Sequence, residues 1–438
     1  MSEWKKVKIG DFLTEREGRY KPNDKEILKY QRLDKIDFSG HIHISDKPTK
    51  TNMIIVFPGD LIISGINVAK GAISVYQGKE PVCATIHYSS YTFDDKKVDL
   101  DYFKYFVKSP AFIFALQQQV KGGIKTEIKP KHLLPLEISL PDLSTQKEIV
   151  KVLSKKIEKV ELIKSEIESQ KAYAKQLRQN ILQEAIEGKL TEEWRKKNPV
   201  VKGNPDFDAE ALFEKIQEEK CHTNSKKKVF EPIAENELPF EIPEGWKWVR
   251  LGEICEGFMY GTSAKSLPSG KCPVLRMGNI QNGKIDWEKL VYTNNDEEIE
   301  KYLLKQYDLL FNRTNSREMV GKTAIFESTQ KTIYAGYLVK FRPINSNPYF
   351  VNIVLNSKTH REWCNEVKTD ALGQSNINAE KLKNFVAPLP PLTEQKEIVS
   401  RVEKLLANVT ELEKQITERE EMTKQLMQSI MKDAFREV

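Results

Sequence analysis

Apolar residues recur at steps of three and four along two stretches of the chain. The first stretch runs Ile149, Leu153, Ile157, Val160, Ile163, Ile167, then Ala174, Leu177 and Ile181. The second runs Ile398, Val402, Leu405, Val409, Leu412, Ile416, then Leu426 and Ile430. Such spacing lines up one stripe on a helix, the seam by which one helix packs along another. Each stripe follows Leu-Pro-x-Leu, where proline stops any earlier helix. Ser144 and Thr393 then stand as N-cap side chains, and Glu148 and Glu397 put negative charge near the positive helix end. Helices are expected over 144–188 and 393–438, each about 65–70 Å long at a rise of 1.5 Å per residue. Gly188 is the expected stop of the first.

The two stretches are copies. Leu140–Val150 and Leu389–Val399 agree at eight of eleven positions without a gap, at an offset of 249 residues. The same offset carries Lys175-Gln176-Leu177 onto Lys424-Gln425-Leu426 and Ala185 onto Ala434. Further upstream, WKKVKIGDF at Trp4 parallels WKWVRLGEI at Trp246, PGDLIIS faces QYDLLFN, and GAISVY faces GKTAIF. Repeats of this kind set the architecture before any local detail. Short β-rich runs are expected at Met53–Phe57, Asp60–Ile63, Ala72–Tyr76, Leu309–Phe311, Thr323–Phe326 and Leu338–Phe341. Helices are expected over Asp101–Gln119 and Pro348–Val367.

The fold class is therefore α/β in the mixed α+β sense. Two similar globular domains, 1–143 and 241–392, alternate with two long helices, 144–188 and 393–438. A polar linker, 189–240, joins the halves and holds a short helix, Ala209–Lys220, capped by Asp208. Its run CHTNSKKKVFEP reads as a mobile loop, and the Lys226-Lys227-Lys228 cluster within it as a solvated tether rather than a DNA clamp. The first long helix leads away from the first domain and the second must return. An antiparallel coiled coil about a pseudo-twofold axis follows. The alternatives are that each helix lies on its own domain or on another protein.

Composition narrows the setting. Hydrophobic residues make up 39%, enough for ordinary cores, and charged residues 30%, which fits long exposed helices. The start MSEWKKVKIG is polar, and the longest apolar run, Met53–Phe57, is too short to cross a bilayer, so a soluble cytoplasmic protein is expected. Five dispersed cysteines without a C-x-x-C pair read as reduced thiols. His41 and His43 lack the carboxylates or cysteines of a metal site.

Positive charge sits in two blocks. Residues 1–139 carry a net +5 and 239–388 a net +3, while 140–238 is neutral and 389–438 is at −2. Two such blocks suit a polyanion gripped at two places. The loops between paired strands supply suitable side chains: SGINVAKG at Ser64–Gly71 answers NRTNSREMVG at Asn312–Gly321, and KGGIKTEI at Lys121 answers ALGQSNI at Ala371. Candidate contacts to such a polyanion are Ser64, Asn67, Lys70, Lys121 and Lys125 in the first domain, and Lys265, Arg313, Asn315, Arg317, Gln374 and Asn376 in the second. Arg313 and Arg317 lead, because a guanidinium fork matches phosphates and guanine edges. Plain surface loops are the competing reading.

Catalytic motifs fail one by one. SREMVGKT resembles a phosphate loop but lacks its first glycine, and the AIF that follows reads as strand. NPYF at Asn347 lacks the second proline of the adenine methyltransferase motif. Neither a nuclease carboxylate–lysine set nor a nucleophile–base pair is present.

Two half-repeats, each ending in L-P-x-L-x-x-Q-K-E-I-V and a long heptad helix, resemble the specificity subunit of type I restriction–modification systems. LQEAIEGKLTEEWR at Leu182–Arg195 is also similar to the stretch after that family's central helix. The resemblance implies two target-recognition domains, each reading one part of a split double-stranded DNA site. It implies a non-catalytic chain, with the helices setting the spacer and docking two methyltransferase subunits. S-adenosylmethionine, ATP and Mg would sit only on partner subunits, and restriction subunits would complete the nuclease. A helix of 65–70 Å spans at most about 20 base pairs at ~3.4 Å each, so lengthening it between Gln170 and Leu190 is expected to shift the preferred spacer. A solitary methyltransferase or nuclease, and a coiled-coil scaffold without a DNA role, are the rival classes.

Overall fold

The computed structural model describes residues 4–38, 40–47, 49–67, 72–119, 130–222, 230–371 and 373–435. The chain divides into two compact units: unit 1 is Met1–Gln170 with Ile416–Val438, and unit 2 is Lys171–Gln415. The calls at Lys70, Lys121, Lys125 and Lys226–Lys228 lie outside the described residues.

Unit 1 runs β1 (Lys5–Lys8), β2 (Leu13–Glu15), β3 (Arg32–Ile36), β4 (Ile42–Ser45), β5 (Met53–Val56), β6 (Leu61–Ser64), β7 (Ile73–Val75), β8 (Val82–Thr85) and β9 (Tyr88–Phe93). Helices α1 (Leu100–Phe106), α2 (Pro110–Gln119) and α3 (Pro130–Leu133) follow, then β10 (Glu137–Leu140) and the first long helix, α4 (Leu143–Ile186). One sheet has the order β2-β9-β6-β7 and the other β4-β3-β8-β5. Strand β6 lies between two cores. Leu61 and Ile63 face α1 and α2, while Ile62 faces the second sheet. A strand buried on both faces reads as an unbroken apolar run, which is why LII carries no polar alternation.

Unit 2 opens with α5 (Glu192–Lys197) and α6 (Ala209–His222). It continues β11 (Lys247–Arg250), α7 (Leu251–Ile254), β12 (Cys255–Tyr260), β13 (Cys272–Leu275), β14 (Ile280–Gln281), β15 (Lys284–Ile285), β16 (Val291–Thr293), α8 (Asp296–Tyr302), β17 (Leu309–Asn312), β18 (Thr314–Asn315), β19 (Thr323–Ile325), β20 (Ile333–Tyr334) and β21 (Leu338–Pro343). The rest is α9 (Pro348–Val354), α10 (Lys358–Val367), β22 (Thr369–Ala371), β23 (Gln374–Asn376), α11 (Ala379–Lys383), β24 (Val386–Leu389) and the second long helix, α12 (Leu392–Ala434). Its sheet β12-β21-β17-β19 repeats the first sheet of unit 1. The set β16-β13-β20 repeats β4-β3-β8, including the parallel pair. Asp60 and Asp308 hold the turn before β6 and β17: each carboxylate takes a backbone N–H three residues back and an arginine, Arg16 or Arg342.

The two helices expected over Asp101–Gln119 and Pro348–Val367 are each two helices. Ser109 and Ser357, both fully buried, turn their hydroxyls onto the amides of Phe112 and His360 and start a new helix there. A serine hydroxyl in mid-run competes for backbone amides and favours a cap over continuation.

The repeated block is anchored by one buried glutamine per copy. Gln146 Nε2 donates to the Pro141 carbonyl at 2.8 Å, and its Oε1 accepts the Asp99 amide at 2.7 Å. Gln395 Nε2 donates to the Pro390 carbonyl at 2.8 Å, and its Oε1 accepts the Asn347 amide at 2.8 Å. Asp99 and Asn347 are themselves the N-caps of α1 and α9. The glutamine of QKEIV thus joins the start of each long helix to the helical layer of its unit. Strand pairs β1·β10 and β11·β24 close the same junctions.

The N-caps differ from expectation. Helix α4 begins at Leu143, and the Asp142 carboxylate, not Ser144, accepts the Thr145 amide at 2.9 Å. That bond, with the Thr145 hydroxyl and the Ser144 amide, holds Asp142 below the usual carboxylate range. Helix α12 begins at Leu392 after Pro391, which has no side-chain acceptor. The linker supplies one instead: the Pro205 carbonyl takes the Leu392 amide at 3.2 Å, and the Asp206 carbonyl takes Thr393. Two orphan amides of the first turn are satisfied in this way.

Antiparallel pairing appears within each unit. In unit 1, Leu153 near the start of α4 shares a core with Met431 and Phe435 at the end of α12. In unit 2, Ile181 and Ala185 near the end of α4 share a core with Ile398 and Val402 at the start of α12, and Arg178 pairs with Glu413 at 2.9 Å. One apolar row is closed, every seventh residue: Leu153, Val160 and Ile167 in unit 1, Ala174 and Ile181 in unit 2. The other row of the expected seam stays open, with Ile163, Leu177, Leu405, Leu412 and Leu426 between 37% and 45% exposed. Two helices alone cover a narrow stripe, and this one is wider.

The linker packs onto unit 2 where it is described. Helix α6 buries Leu212 and Ile216 in the core of unit 2. Glu394 of α12, 2% exposed, accepts Arg195 Nη1 at 2.6 Å, Thr191 Oγ1 at 2.7 Å and Trp246 Nε1 at 2.7 Å. Gly188 ends the first helix at φ +73°, and a Cβ there would meet Pro243 at 2.6 Å. Among the described residues no helix is long and apolar enough to cross a membrane.

Candidate nucleic-acid interface

In unit 2 the two loops singled out separately form one small sheet, β18-β23-β22. Strand β17 leaves the core at Asn312. The chain is then pinned on both sides, because the Arg313 amide donates to the Tyr337 carbonyl at 3.0 Å and the Ile377 amide to the Arg313 carbonyl at 2.9 Å. Thr314 then lies opposite Asn376, and Asn315 opposite Ser375. The β22–β23 hairpin sets Ala371 opposite Gln374 and turns through Gly373 at φ +83°.

Side chains alternate across this sheet. Gln374 and Asn376 share a face with Thr314, whose Oγ1 accepts Asn376 Nδ2 at 2.6 Å. Asn315 shares the other face with buried Ser375, and its Oδ1 accepts the Ser316 amide at 2.8 Å. Asn315 therefore serves its own turn. Arg317 is exposed and loosely tied to Asp370 at 3.7 Å.

Arg313 differs from Arg317 in its setting. Its guanidinium lies 4.5 Å from the centroid of the Tyr260 ring. Its Nε is enclosed without a hydrogen-bond partner, and no carboxylate among the described residues is paired with it. The Tyr260 hydroxyl in turn accepts the Ala379 amide at 3.1 Å at the start of α11. A cation stacked on an aromatic face and free of a carboxylate keeps its donors for an incoming acceptor. Tyr260 and Tyr337, 40% and 49% exposed, flank the site. Sequence reasoning passed over both, although an aromatic at a strand end beside a glycine turn, as in Met-Tyr-Gly-Thr, is the available sign. Lys265 stands exposed three residues past Thr262, which bridges to Ala335; it is not part of the small sheet.

In unit 1 the counterpart of Asn312 is Ser64, at the end of β6. Ser64 is 6% exposed, so its hydroxyl is enclosed rather than offered to a duplex. Asn67, half-buried, closes the turn that follows, its amide on the Ser64 carbonyl and its carbonyl on the Ala72 amide.

Comparison with known proteins bears on the whole chain. The family model described as type I restriction modification DNA specificity domain matches residues 1–170 and 243–421. The EcoKI type I restriction enzyme specificity subunit of Escherichia coli strain K12 is 28% identical over 390 residues, covering 87% of this chain and 75% of that one. The StySPI specificity subunit of Salmonella potsdam is 24% identical over 391 residues, with the same coverage of 87% and 75%. Among solved structures, a chain from work on complex assembly and conformational transition of the type I R-M system superposes at TM-score 0.63 with 17% identity, over 99% of this chain and 98% of that one. That likeness concerns the fold.

Proposed function

This chain belongs to the type I restriction–modification DNA specificity family, and on that premise we propose that its two units each read one part of a split double-stranded DNA site. The carrying observation is the repeated scaffold with unlike loops. The four-stranded sheet, the parallel strand pair and the cap-and-glutamine joint recur in both units, while the loops at Ser64 and Arg313 differ. A scaffold kept twice under two different loop sets suits two different base sequences.

The long helices set the spacing between the two half-sites. Helix α4 has 44 residues, about 66 Å at 1.5 Å per residue, or at most about 19 base pairs at ~3.4 Å each. The open apolar row on the helices, Ile163 and Leu426 in unit 1 and Leu177, Leu405 and Leu412 in unit 2, supports docking of two methyltransferase subunits there. The chain itself works without catalysis and without a cofactor, with S-adenosylmethionine, ATP and Mg on the partner subunits.

The test lengthens both helices at their meeting point, one heptad after Gln170 and one after Arg419. The assembled methyltransferase complex should then select half-sites with a longer spacer from a randomised DNA pool. Selection of the original spacer would sink the ruler. S-adenosylmethionine titrated into the isolated chain should give no binding heat, and saturable binding would revive an enzymatic reading.

A further inference from the structure

The first strand of each unit keeps its sequence, Trp4-Lys5-Lys6-Val7 answering Trp246-Lys247-Trp248-Val249. In unit 2 this strand lies under α6. Glu210 pairs with Lys247 Nζ at 2.7 Å, and the Phe213 ring lies 5.1 Å from the same ammonium. Leu212 and Ile216 share a core with Val249 and Leu251. Further along α6, Gln217 Nε2 donates to the Glu253 carbonyl at 3.1 Å, and Glu219 accepts Asn345 Nδ2.

Unit 1 has the counterparts of these partners and, among its described residues, no helix over them. Lys5, Val7 and Asp11 stand for Lys247, Val249 and Glu253. Lys97, two residues before the Asp99 cap, stands for Asn345, two residues before the Asn347 cap. Together with Phe12 and Asp142 they line a hollow of about 380 Å³. Val249 is fully buried under α6, whereas Val7 is only half-buried, and Lys5 is exposed.

We propose that this hollow on unit 1 is the seat of an amphipathic helix supplied by a partner protein, with the chemistry of α6. Its buried face carries apolar residues at i, i+3 and i+7, as Ala209, Leu212 and Ile216 do. A carboxylate beside the first of them meets Lys5, as Glu210 meets Lys247. A second carboxylate, in the place of Glu219, faces a cation at Lys97 where unit 2 has only an amide. Such charge complementarity fixes register and orientation. A second copy of this chain is the poorer occupant, because its own α6 is committed: Leu212 and Ile216 are already closed into their unit. Among the described residues the seat occurs once, so it distinguishes one half of a doubled molecule from the other. The proposal rests on the reading that the chain works inside a complex.

Two experiments test it. A labelled peptide of residues 203–222, the one helix seen on the equivalent strand, is titrated against the full chain by fluorescence anisotropy. Saturable binding should weaken at least tenfold with Lys5→Glu and recover when the peptide carries Glu210→Lys. No binding, or binding indifferent to both reversals, overturns the proposal; Lys5 is exposed, and an unchanged thermal midpoint confirms that the variant folds. In the second, a photo-cross-linking residue replaces Val7 in the chain assembled with its methyltransferase subunits on DNA. A cross-link to a partner subunit supports the seat. A cross-link between two copies of this chain, or none while the complex still binds DNA, overturns it. Loss of DNA binding by the parent complex would instead strike the reading beneath.

Discussion

Gln170 Oε1 accepts a hydrogen bond from Arg419 Nη1 at 2.7 Å, and the two residues occupy the same position in the two copies of the repeat. Helices that run antiparallel can bring a residue against its own counterpart only where a local twofold passes between them. The pair therefore marks the point from which α4 and α12 are measured off equally.

The buried glutamines should behave alike. Replacing Gln395 by alanine removes two hydrogen bonds, and replacing Gln146 removes three, one of them to the Lys97 carbonyl; each leaves an amide and at least one carbonyl without its partner, at about 1–3 kcal/mol for each stranded group. Urea unfolding should show similar losses for both variants. A loss below about 0.5 kcal/mol, the level of an ordinary surface change, would show that the joint does not depend on the amide.

Glu394 and Thr145 share a repeat position but not a role. Glu394→Ala would strand the Arg195 guanidinium and the Trp246 indole N–H, and breaking an ion pair buried on one side costs about 3 kcal/mol. Thr145→Ala removes a side chain whose hydroxyl donates to the Asp142 carboxylate at 3.3 Å on the surface, so it should cost a few tenths of that. Equal effects in thermal melts would refute the assignment of Glu394 as the centre of this network.

His360 should make unit 2 acid-sensitive. Its ring is enclosed by Phe311, Trp363 and Phe385, at centroid distances of 6.0, 5.6 and 4.9 Å. Burial, helped by the nearby Arg361 charge, pushes its imidazole from 6.5 down to about 3. The folded value lies below the unfolded one, so the unfolded chain takes up the proton first. Stability from this group is complete above pH ~6.5 and falls as pH drops toward 3. His360→Leu should show a smaller shift in urea midpoint between pH 7 and pH 4.5 than the parent, whatever its stability at pH 7. An equal shift would mean that other groups carry the acid response.

Arg313 is expected to matter more than Arg317 for DNA. A stacked, carboxylate-free guanidinium that reads a base edge contributes about 1–3 kcal/mol of discrimination, so Arg313→Ala in the assembled complex should weaken the cognate half-site by ten- to a hundredfold. Arg317→Ala, already shared with Asp370, should lower affinity for all sequences slightly. Electrophoretic mobility-shift titrations on cognate and scrambled half-sites distinguish the two, and indifference of the cognate complex to Arg313→Ala would end its candidacy.

Much of this molecule is legible because its strongest signals are local. A heptad row and an ungapped block stand out in the letters alone, as do runs such as LII and LLF that form doubly buried strands. The caps were harder to place. Asp142 and Ser144 are both good N-caps two residues apart, and only the path of the chain decides between them. Ser109 and Ser357 each sat inside a helical pattern strong enough to hide a break. The role of Gln146 and Gln395 depends on a partner about 48 residues back in the sequence, beyond any periodicity argument. At the interface, chemistry pointed to arginines and asparagines, but the facing of β23 separates Gln374 and Asn376 from Asn315. The stacking partner Tyr260 comes from a strand that carries no basic residue.

Phe435, the residue after α12, lies edge-on to Tyr102 and Phe106, with centroids 5.3 and 5.5 Å apart. The first unit to leave the ribosome is thus the last to be completed, since its aromatic core waits for a side chain made after all of unit 2. Replacing Phe435 by alanine would open the aromatic core of unit 1 beside Tyr102 and Phe106, far from it in sequence.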